Sequence, residues 1–157
     1  MPSKFKGLFT SNTPVWSTPQ DFFDKANAEF GPFTLDPCAN PDNAKCAKFF
    51  TEQDNGLAQD WSNETVWLNP PYGATIGLWL KKAAEASKNS TVVCLVPART
   101  DTRWFHDYAA KADLIRFLKG RLKFGGGTTA APFPSVLVVF KNKGKVGYAS
   151  NQVTEYR

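Results

Sequence analysis

The run Thr91-Val92-Val93-Cys94-Leu95-Val96 constrains the fold more than any other segment of the chain. Six residues without polar alternation, rich in β-branched side chains, must be buried on both faces, as in a strand of a helix-covered parallel sheet. The flanking segments agree. Thr18 to Phe30 reads as an amphipathic helix with Thr18 as N-cap, Pro19 in the first turn, Phe22, Phe23, Ala26 and Phe30 on one face, and Gly31-Pro32 as the stop. Phe33 to Asp36 and Lys48 to Thr51 read as short strands, with loop chemistry at Asn40-Pro41-Asp42-Asn43 between them. Thr65 to Asn69 is a third strand, stopped by two prolines and followed by a helix from Ile76 to Ser87. Asp101 to Lys111 reads as helix, and Leu114 to Leu118 and Pro134 to Phe140 as strands. The alternation predicts an α/β fold, a mainly parallel sheet flanked by helices. One domain over residues 1–157 is expected, with its core at about 14–140 and its last residues loosely held.

Composition supports a globular chain. With 157 residues, 42% apolar and 14% aromatic, it can bury a core, and 21% charged residues do not suggest a coiled coil or a disordered tail. No apolar run reaches the roughly 18 residues of a membrane span, and the opening stretch lacks the apolar centre of a signal peptide, so a cytoplasmic protein is expected. Cys38, Cys46 and Cys94 are too few and too scattered for a disulfide framework or a zinc site, so reduced thiols and no metal are expected. His106 is the only histidine, which leaves little material for a histidine-based triad. Charge is uneven. Residues 1–98 hold 8 Lys/Arg against 10 Asp/Glu, a net −2, whereas residues 99–157 hold 11 against 4, a net +7. The basic end is either a polyanion contact or a solvated surface.

Asn69-Pro70-Pro71-Tyr72 is the segment richest in chemistry. It follows a hydrophobic strand and precedes a helix, the place where ligands gather in an open α/β sheet. An Asn side-chain carbonyl and the Pro70 carbonyl can both accept from a planar NH₂ group, and the prolines stiffen the loop without adding competing donors. A tyrosine ring beside them can stack on an aromatic base. A proline-rich turn with a packed tyrosine is the plain alternative.

At these residues the chain resembles the class I S-adenosylmethionine-dependent methyltransferases that act on amino groups, whose (Asp/Asn/Ser)-Pro-Pro-(Tyr/Phe/Trp) motif matches Asn69 to Tyr72. Within them it is most similar to the phage-type DNA N6-adenine methyltransferases, the Dam family. The resemblance rests on Trp16-Ser17-Thr18-Pro19, Leu35-Asp36-Pro37-Cys38-Ala39, Phe50 to Leu57, Trp67 to Gly73, Leu95 to Thr102 and Gly120 to Gly125. It implies a Rossmann-like class I fold, S-adenosylmethionine as cofactor and DNA as partner.

One departure from the broader superfamily stands out. The first strand is not followed by a glycine-rich turn, and Gly125-Gly126-Gly127 comes late, where it suits a substrate-side loop. By resemblance, Asp36, Pro37, Cys38 and Ala39 form the cofactor turn. Thr18 binds the methionine carboxylate or serves only as a cap. Asp54 receives the ribose hydroxyls or is an exposed loop acid, and Asp60 contacts the cofactor's adenine. Asn69, Pro70, Pro71 and Tyr72 are the expected catalytic loop. Arg99, Arg103, Arg121, Lys123 and Phe124 are expected on the DNA side, with Lys81, Lys82 and Lys119 as further phosphate contacts. An RNA base or a protein glutamine as acceptor, or a nucleic-acid-binding relative without catalysis, stays open. So do target sequence and oligomeric state.

Overall fold

In the computed structural model the described residues are 16–145 and 152–156. The stretch before Trp16 read for a signal peptide, and the start of the core at residue 14, lie outside them. The doubly buried run becomes β2 (Thr91–Pro97), second in a five-stranded sheet. The others are β1 (Thr65–Leu68), β3 (Leu114–Leu118), β4 (Ser135–Phe140) and β5 (Gln152–Tyr156), in the order β1-β2-β4-β3-β5. Leu35 bridges Val66 of β1 in parallel and Asp36 bridges Phe49, so both short expected strands extend the β1 edge, each by a single bridge.

Burial of β2 on both faces follows from what covers it. Val92, Cys94 and Val96 pack with Trp79, Leu80 and Ala83 of α2 (Ile76–Ala86) and Phe105 of α3 (Arg103–Asp107). Val93 and Leu95 point the other way, toward Phe22, Phe23 and Ala26 of α1 (Gln20–Phe30) and toward Phe124 and Phe133 of the loop before β4. The alternation of a strand therefore divides one apolar run between two cores.

The sheet is mixed, not mainly parallel. β1 and β2 pair in parallel, as do β3 and β5, but β4 lies antiparallel to both β2 and β3. The reason lies in residues 119–134. Gly120, Gly125 to Gly127, Pro132 and Pro134 interrupt any helix that could carry the chain back to the starting end of the sheet, so β4 returns beside β3 in the opposite sense. Two helical expectations also change. Pro19, not Thr18, is the N-cap of α1, and no side chain caps it. The helix expected over Asp101 to Lys111 is broken into α3 and a 3₁₀ turn at Ala109–Lys111. Near the end expected to be loose, Gln152–Tyr156 forms β5. No helix among the described residues is long and apolar enough to cross a membrane.

Candidate active site

The loop Asn69 to Tyr72 leaves the carboxyl end of β1 and leads into α2. Pro70 is buried and holds the turn against the core. Asn69 Nδ2 donates to the Trp16 carbonyl and, at 3.2 Å, to Thr18 Oγ1. Asn69 Oδ1 lies 2.8 Å from the Tyr72 hydroxyl, which is also 3.0 Å from the Leu95 carbonyl. Burial pushes the Tyr72 hydroxyl well above its ordinary pKa, so it stays protonated and acts as a donor. It has one proton for two acceptors.

Beside this loop lies a cavity of about 510 Å³, within the range of small-molecule sites. Its walls come from four stretches: Pro37 to Pro41, Thr51 to Leu57 without Asp54, Asn69 to Tyr72, and Thr75 and Trp79 at the start of α2. Trp16 and Asn43 complete the lining. Pro37, Cys38 and Ala39 line this cavity, and burial, with Asp36 and Glu52 nearby, pushes the Cys38 thiol up and keeps it neutral.

Other expected ligands are placed differently. Asp54 turns back on Thr51, accepting from its backbone N–H at 2.9 Å and its hydroxyl at 3.0 Å, while Glu52 is the acid in the cavity wall. Asp60 accepts from the Ser62 hydroxyl and N–H at 2.6 and 2.9 Å, away from that wall. Thr18 is buried against Asn69 and is not part of the lining. Glu52 lies two residues from Asp54, and nothing in the sequence distinguishes which of the two acids lines the cavity. Gly56 carries no local signal of its role: a Cβ there would lie 2.0 Å from the Pro37 carbonyl oxygen and 3.1 Å from Trp79. The glycine that allows close backbone approach at the Pro37 turn comes from another loop.

Asp36 is 3% exposed and does not line the cavity. Its carboxylate accepts from the Lys45 N–H at 2.9 Å and more weakly from Cys38 N–H at 3.4 Å, closing the loop between them. Burial pushes its pKa up to about 7, opposed by those two N–H groups and by the Lys45 charge. Between the ordinary carboxylate range and that value the unfolded chain releases a proton that the folded chain keeps. Stability therefore falls as pH rises across this window. The melting temperature of the wild type is expected to drop by several degrees between pH 5 and pH 8, at about 2–4 °C per kcal/mol for a chain of this size. Asp36→Asn should flatten that part of the profile in a calorimetric scan, and an unchanged slope would mean the carboxyl titrates normally.

The Tyr72 ring is not open to solvent on its own. Trp16 lies 6.5 Å from it at an interplanar angle of 18°, and Phe133 and Phe124 meet it edge-on at 5.5 and 6.3 Å. Two of the expected DNA-side arginines reach this cluster: the Arg99 guanidinium is 5.9 Å from the Phe133 ring, and Arg121 donates at 3.5 Å to the Ala131 carbonyl. Lys123 is exposed immediately before buried Phe124, and Arg103 is exposed at the start of α3.

A family described as DNA N-6-adenine-methyltransferase (Dam) matches residues 8–153. A curated protein of Escherichia phage T1, named DNA N-6-adenine-methyltransferase, is 30% identical, covering 97% of this chain and 69% of its own length. A protein of the same name from Haemophilus phage HP1 is 31% identical, covering 87% of this chain and 84% of its own. A putative methyltransferase of Escherichia coli, YfdM, is 48% identical over 63 residues, covering 36% of this chain and 69% of its own length. The family match spans nearly the whole chain, and the chain belongs to the DNA N-6-adenine-methyltransferase (Dam) family.

Proposed function

We propose that this chain, as one methyltransferase domain, transfers a methyl group from S-adenosylmethionine to N6 of adenine in DNA. The observation that carries the reading is the position of Asn69. Asn69 and Pro70 stand in the wall of a cavity of about 510 Å³, beside the Pro37 to Ala39 turn, and the Asn69 side-chain oxygen is held by the Tyr72 hydroxyl of the same wall. A planar acceptor for an amine adjoins a space sized for a small molecule. The parallel part of the sheet, Leu35-Asp36, β1 and β2, with the cavity at its carboxyl ends, supports a Rossmann-like class I fold.

The lining fits the cofactor by its donor set. Leu57 and Trp79 offer apolar surface for a flat ring, Glu52 an acceptor for hydroxyls, and the Pro37 to Asn40 turn backbone polar groups. S-adenosylmethionine supplies a methyl group already activated by its sulfonium, so no covalent intermediate on the protein is required. Asn69 Oδ1 and the Pro70 carbonyl accept from the two N6 hydrogens, turn the nitrogen lone pair toward the methyl carbon, and stabilise the positive charge that develops on nitrogen. Duplex adenine has to leave the stack to reach this edge. Tyr72 offers it a ring once Trp16 gives way. Arg99, Arg121 and Lys123 around the aromatic cluster, with Arg103 beyond, are suited to the flanking phosphates.

Methyl-labelled S-adenosylmethionine incubated with the protein and a DNA duplex, an RNA or a protein acceptor tests this. Label is expected in N6-methyl-2′-deoxyadenosine from digested DNA, and in none from a duplex whose target purine lacks the 6-amino group. Label in RNA or protein but not in DNA would overturn the acceptor assignment.

A further inference from the structure

An amide has two edges of similar shape and opposite hydrogen-bonding character. A carboxylate at position 69 would present an acceptor either way round, but asparagine must be held with its oxygen toward the amine, because its NH₂ would repel another NH₂. The structure contains the parts that do this. A backbone carbonyl can only accept, so the edge of Asn69 facing the Trp16 carbonyl must be the nitrogen. The second Nδ2 hydrogen goes to Thr18 Oγ1 at 3.2 Å. Both hydrogens are therefore engaged on the side away from Tyr72. Thr18 is itself fixed: it is 5% exposed, and its neighbour Ser17 accepts from the Gly125 N–H at 2.8 Å and from Asn43 Nδ2 at 3.2 Å. On the oxygen edge, the Tyr72 hydroxyl can pass its one proton to the Leu95 carbonyl at 3.0 Å and so release Oδ1 without losing a partner.

We infer that Thr18 is a positioning residue for amino-group methylation, accepting from Asn69 Nδ2 so that Oδ1 faces the substrate amine. This rests on the reading of Asn69 given above. Thr18 acts through Asn69 and touches neither substrate nor reacting atoms. The sequence motif allows Asp, Asn or Ser at position 69, and of these only the amide has two edges that such a lock must tell apart.

Thr18→Val and Thr18→Ser separate the hydrogen bond from packing, since valine keeps the shape and serine keeps the hydroxyl. In single-turnover methylation of an adenine duplex, Thr18→Val is expected to slow transfer about tenfold, the size of one net hydrogen bond. The KM for the methyl donor should stay within about twofold, and Thr18→Ser should restore the rate. In an Asn69→Asp background, the same valine substitution should change the rate by less than about twofold. A readout independent of activity is the exchange of the Asn69 side-chain amide protons by NMR, expected to be faster in Thr18→Val than in wild type or Thr18→Ser. Equal rates for Thr18→Val and Thr18→Ser, or an equal loss in both backgrounds, would overturn the lock. Full activity of Asn69→Ala would instead sink the reading beneath it.

Discussion

Asn69→Ala is expected to lower the rate of methyl transfer by about 10²–10³-fold, the loss typical of removing one preorganised polar group from a transition state. The affinity for S-adenosylmethionine should change by less than about fivefold. Asn69 supplies one polar edge among many cavity walls, so binding of the donor has other support, whereas the nucleophile has only Oδ1 and the Pro70 carbonyl to aim it. Tyr72 provides the contrast. Tyr72→Phe removes a hydroxyl that shares one proton between Asn69 and Leu95, keeps the ring between Trp16 and Phe133, and should stay within about fivefold of wild type. Tyr72→Ala empties the centre of the aromatic cluster and should lose both DNA affinity and rate. Single-turnover rates with donor affinities by calorimetry would check the order. A Tyr72→Phe variant as slow as Asn69→Ala would give the hydroxyl a chemical role, and a near-normal Asn69→Ala would end the proposed mechanism.

Gly56→Ala is expected to be nearly as damaging, for a steric reason. The new methyl would sit 2.0 Å from the Pro37 carbonyl oxygen, a backbone atom that cannot step aside as a flexible side chain could. Either the 3₁₀ turn Gly56–Ala58 or the Pro37 turn must move, and both line the cavity. Overpacking of this kind costs about 1–3 kcal/mol or more, and the displaced turn should weaken binding of S-adenosylmethionine at least tenfold. Trp61, whose indole N–H donates to the Gly56 carbonyl at 2.9 Å, should report the shift. An unchanged melting temperature together with unchanged donor affinity would show that the turns yield freely.

Much of the scaffold could be read from local pattern. The Thr91 to Val96 run, the apolar face of α1 and the strand-loop-helix around Asn69 each carry their signal within a few residues, because strand and helix periods are properties of adjacent positions. Pairing direction has no such local signal. β4 looks the same in sequence whether it runs parallel or antiparallel, and the interrupted connection before it decided the outcome. The break after Asp107 and the absence of a side-chain cap on α1 likewise depend on what the neighbouring segments require.

For the site, the sequence by itself determined which chemistry is available: Asn-Pro-Pro-Tyr after a strand offers rigid acceptors and a ring, and Pro37 to Ala39, within the segment singled out by resemblance, line the cavity while Asp36 does not. Only the tertiary structure decided which way each polar group faces. Asp36 closes its own loop through Lys45 and Cys38, Asp54 bends back to Thr51 while Glu52 is part of the cavity wall, and Thr18 holds Asn69 instead of capping a helix. Gly56 and Trp16 entered the site from distant parts of the chain. The physical reason is that a side chain's type is fixed by the sequence, whereas its hydrogen-bond partner is whichever donor or acceptor folding brings within about 3 Å. For the Asn69 amide nitrogen those partners lie more than fifty residues earlier in the chain.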